Sequence, residues 1–407
     1  MRLLFLTPQF PYPPHKGTTL RNFNLIAGLA RQHQIDLLAF GDAPRVSSPL
    51  DQLCKRIAVM PVPPRPTWRR AVDTVLSPWP DMGLRLWSRA FARQLAAWVT
   101  DEEYDVIQAE GLELARYMLG VRAPRAHHVD RVGQTPLIVF DDHNAEYLLQ
   151  KRIAAAGIAS GGWRAGTVYS TIQWRKLRSF ERRACRRADR VVCVSEADAD
   201  AIRQLDAALS IDVIPNGVDT DYYRREQIAP LALPTPSIVF TGTMDFRPNV
   251  EAMLWFAQEV LPAVKRAVPA VHFYIVGQRP HARLDSLRDD PAITLTGAVE
   301  DTRPYISAAS VYVAPLRMGG GTRLKLLEAM SLQAPIVSTT VGAEGFAVRD
   351  GQELLLADDA AAFAQAVVAL IADRERAALL GETGRLFAVQ HYDWRSIIPK
   401  FDAVYLR

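Results

Sequence analysis

The run Val311-Tyr312-Val313-Ala314-Pro315-Leu316-Arg317-Met318-Gly319-Gly320-Gly321-Thr322-Arg323-Leu324-Lys325-Leu326-Leu327-Glu328-Ala329-Met330 decides how the chain is read. It opens with apolar residues that do not alternate with polar ones, the pattern of a parallel strand buried on both faces. The glycines that follow permit a tight backbone and close approach of a ligand. A helix is then predicted from about Thr322. Its first turn offers backbone N–H groups without intrahelical partners and the positive end of the helix dipole. Strand, glycine turn and helix start in that order make a cradle for a phosphate. Arg323 and Lys325 add positive charge, and Glu328, about a turn deeper, can accept from sugar or ribose hydroxyls. An anion cradle beside a hydroxyl-binding carboxylate suits a sugar nucleotide, although most such junctions in doubly wound sheets bind nothing.

Outward from this run the same alternation fills the chain. Strand-length apolar runs occur at Leu3–Thr7, Ile35–Phe40, Val106–Ala109, Leu137–Phe140 and Val191–Val194, and again at Ile238–Thr241, Val271–Val276 and Ile336–Ser338. Helical periodicity separates them, so the class is α/β, with parallel sheets covered by helices. The stretch from Pro215 to Pro236 is proline-rich and lacks periodic apolar positions, which reads as an interdomain linker. The expected organisation is two tandem Rossmann-like, doubly wound domains at 1–218 and 237–390. A linker at 219–236 joins them, and a C-terminal helix lies in 391–407. Ligands of open parallel sheets bind at the carboxyl ends of the strands, here expected to face a central cleft. The last helix, near Ile397–Leu406, either packs on its own domain or returns to the first.

The bulk numbers set bounds. The chain has 407 residues, 49% hydrophobic and 23% charged, an ordinary globular composition. A net charge of +4 is mildly basic. It fits anionic small ligands or an anionic membrane surface and is not the profile of a nucleic-acid binder. The cysteines are Cys54, Cys185 and Cys193, without a Cys-x-x-Cys pair, so neither a disulfide framework nor a zinc site is indicated, and a reducing, cytoplasmic location is expected. The N-terminus lacks the form of a signal peptide, and no apolar run is long enough to cross a membrane.

Other clusters can carry chemistry. Asp142-His143-Asn144-Ala145-Glu146 ends a buried strand, where His143 can meet a sugar hydroxyl and Asp142 or Glu146 can orient it. The competing reading is helix capping. Ser195 is read as an N-cap, since no nucleophile elbow surrounds it. Gly17 lies in the loop after the first strand, near a possible ligand. Arg247, in the loop after Ile238–Thr241, can reach the same phosphates as Arg323 and Lys325. A predicted helix over Ile172–Ala188 carries one stripe of Leu177, Phe180, Ala184 and Ala188 and another of Arg175, Arg178, Arg182 and Arg186. The basic stripe is either a solvated face or a contact for anionic lipid.

Taken together, these clusters with Ile214-Pro215-Asn216-Gly217-Val218-Asp219, Phe240-Thr241-Gly242 and Ile275-Val276-Gly277 resemble the retaining glycosyltransferases of family 4, also called group 1. That family has the two-domain GT-B fold, and the resemblance runs nearly end to end. It implies a UDP- or GDP-linked sugar donor held mainly by the second domain and a glycan or lipid-linked acceptor held mainly by the first. It also implies no divalent metal or other cofactor, and a place in cell-envelope or exopolysaccharide synthesis on the inner face of the membrane. By position, Glu328 resembles the ribose-binding glutamate, and Leu324 and Lys325 lie where backbone N–H groups meet the diphosphate. Gly320, Gly321 and Thr322 belong to the same donor cradle. His143 resembles the histidine near the transferred sugar, and Gly17 the flexible glycine loop.

The chain departs from that pattern at Gly320, where the family often has an earlier glutamate, and in the loop holding Thr243 and Arg247, where it often has an Arg and a Lys. Arg323 and Lys325 are therefore expected to take over phosphate neutralisation and, with His143, to be the catalytic groups. The rival readings are a nucleotide-sugar epimerase of the same fold and a non-catalytic sugar-nucleotide-binding or scaffold protein.

Overall fold

The computed structural model describes residues 1–14, 17–42, 47–120, 135–159, 165–229, 231–319 and 322–406. The chain divides into two compact units, Met1–Pro215 with Ile398–Arg407, and Asn216–Ile397.

The first unit is built on a parallel sheet of seven strands. They are β1 (Arg2–Thr7), β2 (Gln34–Phe40), β3 (Cys54–Met60), β4 (Val106–Glu110), β5 (Leu137–Asp142), β6 (Arg190–Cys193) and β7 (Ile211–Val213). The order across the sheet is β3-β2-β1-β4-β5-β6-β7. Leu3, Leu4, Phe5 and Leu6 of β1 are all fully buried, because helices cover both faces and no position along the strand meets water. Helix Gly17–Leu29 follows β1, and helices Glu146–Ala159 and Ala165–Arg187 connect β5 to β6.

The second unit repeats the plan with β8 (Ser237–Thr241), β9 (His272–Val276), β10 (Ile293–Gly297), β11 (Val311–Ala314), β12 (Ile336–Ser338) and β13 (Leu355–Leu356). Their order is β10-β9-β8-β11-β12-β13, again all parallel. In each sheet the strand order reverses direction once, between β1 and β4 and between β8 and β11. Such a switch point opens a crevice at the carboxyl ends of the strands.

Residues 219–236, read from the sequence as a linker, lie within the second unit. Thr220 is buried there, and the guanidinium of Arg385 donates to the carbonyl of Tyr223 at 3.2 Å. Helix Trp394–Tyr405 starts in the second unit and ends in the first. Its start is fixed by the Trp394 indole against Gly217, where a Cβ would come within 2.6 Å of the ring. Its end packs Ile398 against Gly28, ion-pairs Asp402 with His33 at 2.7 Å, and sends the Tyr405 hydroxyl to Gln108.

Candidate functional site

In the second unit the residues after β11 form the start of helix Leu324–Ser331, with Arg323 at its N-cap position. Lys325 lies in the first turn of this helix. Its ammonium donates to Asn249 Oδ1 at 3.1 Å and stands 4.1 Å from the centre of the Phe240 ring. Phe240 and Thr241 end β8, so the lysine sits at the β8/β11 switch point. Gly242 makes room for it: a Cβ there would come within 2.8 Å of the lysine nitrogen. Burial lowers the Lys325 pKa to about 7, with Arg323 pushing the same way and Glu328 opposing.

Glu328 is one turn further on. Burial raises its pKa, while a hydrogen bond from the Tyr223 hydroxyl and the charge of Lys325 hold the rise back. Tyr223 itself is shifted upward by burial and by that carboxylate. Tyr312 on β11 bonds Thr241 through its hydroxyl at 2.7 Å and closes the floor. Arg323 is likewise destabilised as a cation by burial, with Glu344 in partial compensation. Its guanidinium folds over Gly319, where a Cβ would come within 2.8 Å of Nη2, and Gly319 adopts φ +122°. The positive φ is what favours glycine here. Thr322 Oγ1 is buried with no hydrogen-bond partner among the described residues. Gly320 and Gly321 lie outside the described residues.

Arg247 is the first residue of helix Arg247–Trp255 and is exposed; the Glu251 carboxyl is held low first by its hydrogen bond from Arg283 and last by the charge of Arg247. The polar partner of Lys325 from that helix is instead Asn249, which the sequence reading passed over, as it did Tyr223, Thr241 and Tyr312. Asn249 lies two residues beyond Arg247, on the same helix. Tyr223 lay in the presumed linker, where nothing local signalled a partner for Glu328.

The first unit carries a second cluster, at the ends of β4 and β5. His143 Nε2 bonds Glu110 Oε2 at 2.9 Å, and Gln108 donates to the other oxygen of Glu110 at 2.5 Å. Burial opposes charge on His143, but Glu110 and Asp141 outweigh it and the pKa is raised. Asp141 is buried and accepts from Arg21 Nε at 2.9 Å; burial raises it to about 6 against the pull of Arg21. Arg21, on helix Gly17–Leu29, also donates to the carbonyls of Pro215 and Ile214 at 3.1 and 3.2 Å. Gly17 is the exposed first residue of the same helix.

The carboxylate that orients His143 is therefore Glu110 and not Asp142 or Glu146. Successive residues of β5 point to opposite faces. Asp142 is buried against the Glu181 carboxyl and its pKa is raised well above normal by burial and by that neighbour. Glu181 rises to about 8 through burial, although the backbone N–H groups of Tyr147 and Glu146 donate to it at 3.0 and 2.8 Å. Glu146 rises to about 7, through burial and then the charge of Glu113. This acidic pocket ties β5 to helices Glu146–Ala159 and Ala165–Arg187. Ser195 caps helix Glu196–Arg203 by accepting from Asp198 N at 3.1 Å.

Glu110, Asp141 and His143 place ligand-type atoms within 4.8 Å of one another and could hold a metal ion. Arg21 already supplies a cation to Asp141, and Gln108 and His143 already bond Glu110, so the group reads as a histidine with its orienting shell. On helix Ala165–Arg187, Arg175, Arg178, Arg182 and Arg186 are exposed, whereas Leu177, Phe180 and Ala184 are core. Arg186 is paired with Asp206.

Residues 16–222 match the family model described as Glycosyltransferase Family 4, and residues 235–373 match Glycosyl transferases group 1. A phosphatidyl-myo-inositol mannosyltransferase of Mycobacterium leprae is 31% identical over 203 residues, 47% of this chain and 52% of that protein. The chain spans about half the length of most of the curated relatives it matches. Among solved structures, sucrose-phosphate synthase from Thermosynechococcus elongatus superposes with a TM-score of 0.71 at 18% identity, covering 100% of this chain and 98% of that one. HepE from Anabaena, solved in complex with UDP and glucose, superposes with a TM-score of 0.65 at 17% identity, covering 99% of both chains. These likenesses show the two-sheet GT-B fold, and the match over 16–222 shows the family: the chain belongs to glycosyltransferase family 4.

Proposed function

We propose that the protein transfers a sugar from a nucleotide-sugar donor to a glycan or lipid-linked acceptor, with retention of configuration and without a divalent metal. The observation that carries this reading is the pair Lys325 and Glu328 at the β8/β11 switch point. A half-buried ammonium with its pKa lowered to about 7 is poorly solvated by the protein and gains most from an incoming anion. Arg323 and Lys325 neutralise the diphosphate as it leaves, a task that a metal ion performs in other transferases. The first-turn N–H groups of Leu324 and Lys325 add to the cradle, with Thr322 just before the cap. Glu328, held by Tyr223, accepts from the ribose hydroxyls. Gly320, Gly321, Arg247 and Gly17 complete the donor surroundings, and His143, oriented by Glu110, meets the transferred sugar. The UDP and glucose in HepE support the donor class, and the mannosyltransferase relative supports an acceptor built on a lipid.

Envelope or exopolysaccharide synthesis on the cytoplasmic face of a membrane is the setting that such an acceptor fits. Among the described residues no helix is long and apolar enough to cross a membrane, so contact with one is peripheral in this reading. The exposed stripe of Arg175, Arg178, Arg182 and Arg186 supplies charge for an anionic surface but no apolar surface, since its apolar companions are core.

The test is calorimetry of UDP- and GDP-sugars with wild type and Glu328→Ala, followed by product analysis with lipid and glycan acceptors. Saturable binding of one donor, lost in the variant, is expected. Turnover of the donor with no acceptor would replace the reading with an epimerase, and binding without any turnover would replace it with a sensor or scaffold.

A further inference from the structure

Helix Thr67–Leu76, in the first unit, is amphipathic and turned outward. Trp68, Val72, Val75 and Leu76 recur at helical spacing and form one apolar face. A helix of a soluble domain buries such a face. Here its members are 69%, 45%, 74% and 78% exposed. The side that meets the protein is polar. Thr74 is its one buried residue and accepts from Gln173 at 3.3 Å. Asp73 is held by Arg65 at 3.0 Å. Lys176 caps the helix by donating to the carbonyls of Thr74 and Ser77 at 2.7 and 2.6 Å. The outward apolar face is thus fixed by hydrogen bonds and ion pairs on the other side and does not arise from loose packing.

We infer that this helix lies in the interface of an anionic lipid bilayer and seats the enzyme beside a lipid-linked acceptor. The charge pattern selects that occupant. Exposed Arg69 borders the apolar face next to Leu76, while Arg70, on the far side, pairs with Asp81 at 3.3 Å and the only acid of the helix, Asp73, is bound inward. A basic residue beside Trp and branched apolar side chains matches an interfacial helix on anionic lipid. Tryptophan favours the boundary between headgroups and acyl chains. A second copy of the chain is a poorer match. The patch is a few side chains wide, whereas a standard protein interface buries about 800 Å² per partner.

The surface is separate from the arginine stripe on helix Ala165–Arg187. Gln173 and Lys176 face helix Thr67–Leu76. At about 100° per residue, Arg175, Arg178 and Arg182 lie around the opposite side. The inference rests on the proposed lipid acceptor only for its purpose; the surface itself is tested with no donor or acceptor present.

The experiment is co-sedimentation of the full chain with vesicles of equal parts phosphatidylglycerol and phosphatidylcholine, with tryptophan quenching by brominated acyl chains. Wild type is expected to pellet with the vesicles and to be quenched. The double variant Val75→Asp, Leu76→Asp is expected to lose affinity by about tenfold or more, with an unchanged melting temperature because both positions are exposed. Wild type that stays in solution with these vesicles would overturn the inference, and so would equal binding by the double variant. A wild-type dimer that the double variant dissociates would overturn it in favour of self-association. None of these results bears on donor binding, which calorimetry reads separately.

Discussion

The two sheets share one strand order and carry opposite electrostatics at their carboxyl ends. At β8/β11 burial acts on a cation and lowers Lys325 to about 7. Around β4/β5 it acts on acids, raising Asp141 to about 6, Glu146 to about 7 and Glu181 to about 8. The cationic site is under-neutralised by its own protein and suited to a diphosphate. The acidic cluster is closed upon itself, with Arg21 on Asp141 and Asp142 against Glu181, and leaves His143 partly buried and bonded to Glu110. One fold therefore presents two chemistries, because burial penalises whichever charge the strand ends carry.

The largest effect that would break this contrast is on Lys325. Lys325→Ala is expected to reduce kcat/KM by about 10²–10³, the usual scale for losing one group that stabilises leaving-group charge. Since its pKa is lowered to about 7, the free site is partly neutral at pH 7.5, and a bound diphosphate restores the charge. Donor binding should therefore take up protons near pH 7.5, seen as a buffer-dependent enthalpy in calorimetry, and Lys325→Met should abolish the uptake. Uptake that survives this change would place the responsive group elsewhere.

An intermediate effect is expected at Glu110. Glu110→Gln keeps a bond to His143 but removes the anion that helps raise its pKa, so the pKa should fall. A loss in kcat of about tenfold, with the acid limb of the pH profile moved to lower pH, would sharpen the contrast. An unchanged profile would separate Glu110 from catalysis.

The smallest effect is on stability. The folded-state pKa values of Asp142 and Glu181 lie above their unfolded values, so the folded chain holds extra protons between the two. Their contribution is present below pH 4 and lost as pH rises through about 8. Wild type should lose about 1.4 kcal/mol per pH unit for each extra proton held. Asp142→Asn removes one raised carboxyl and should flatten the fall in melting temperature between pH 5 and 8. An equally steep fall in the variant would show that another group carries it.

Much of the fold was legible because parallel strands covered on both faces are continuously apolar, and β1, β5, β8 and β11 fell close to where such runs predict them. The arginine stripe and its apolar partner stripe were legible for the same reason, being a property of helical spacing. The partners were not. Asp142 and Glu146 stand next to His143 in sequence, yet Glu110, over thirty residues earlier, makes the bond, because pairing β4 with β5 places their carboxyl ends side by side. Tyr223 and Asn249 reach Glu328 and Lys325 in the same non-local way.

The sequence by itself determined the α/β class and the passage from strand β11 to the helix that follows it, since these follow from local spacing and backbone chemistry. Tertiary structure decided which carboxylate orients His143, how far burial moves Lys325, and which amphipathic helix turns its apolar face outward. A hydrophobic pattern states that a face is apolar. What that face meets depends on which polar groups grip its other side, and for helix Thr67–Leu76 those groups are Arg65, Gln173 and Lys176.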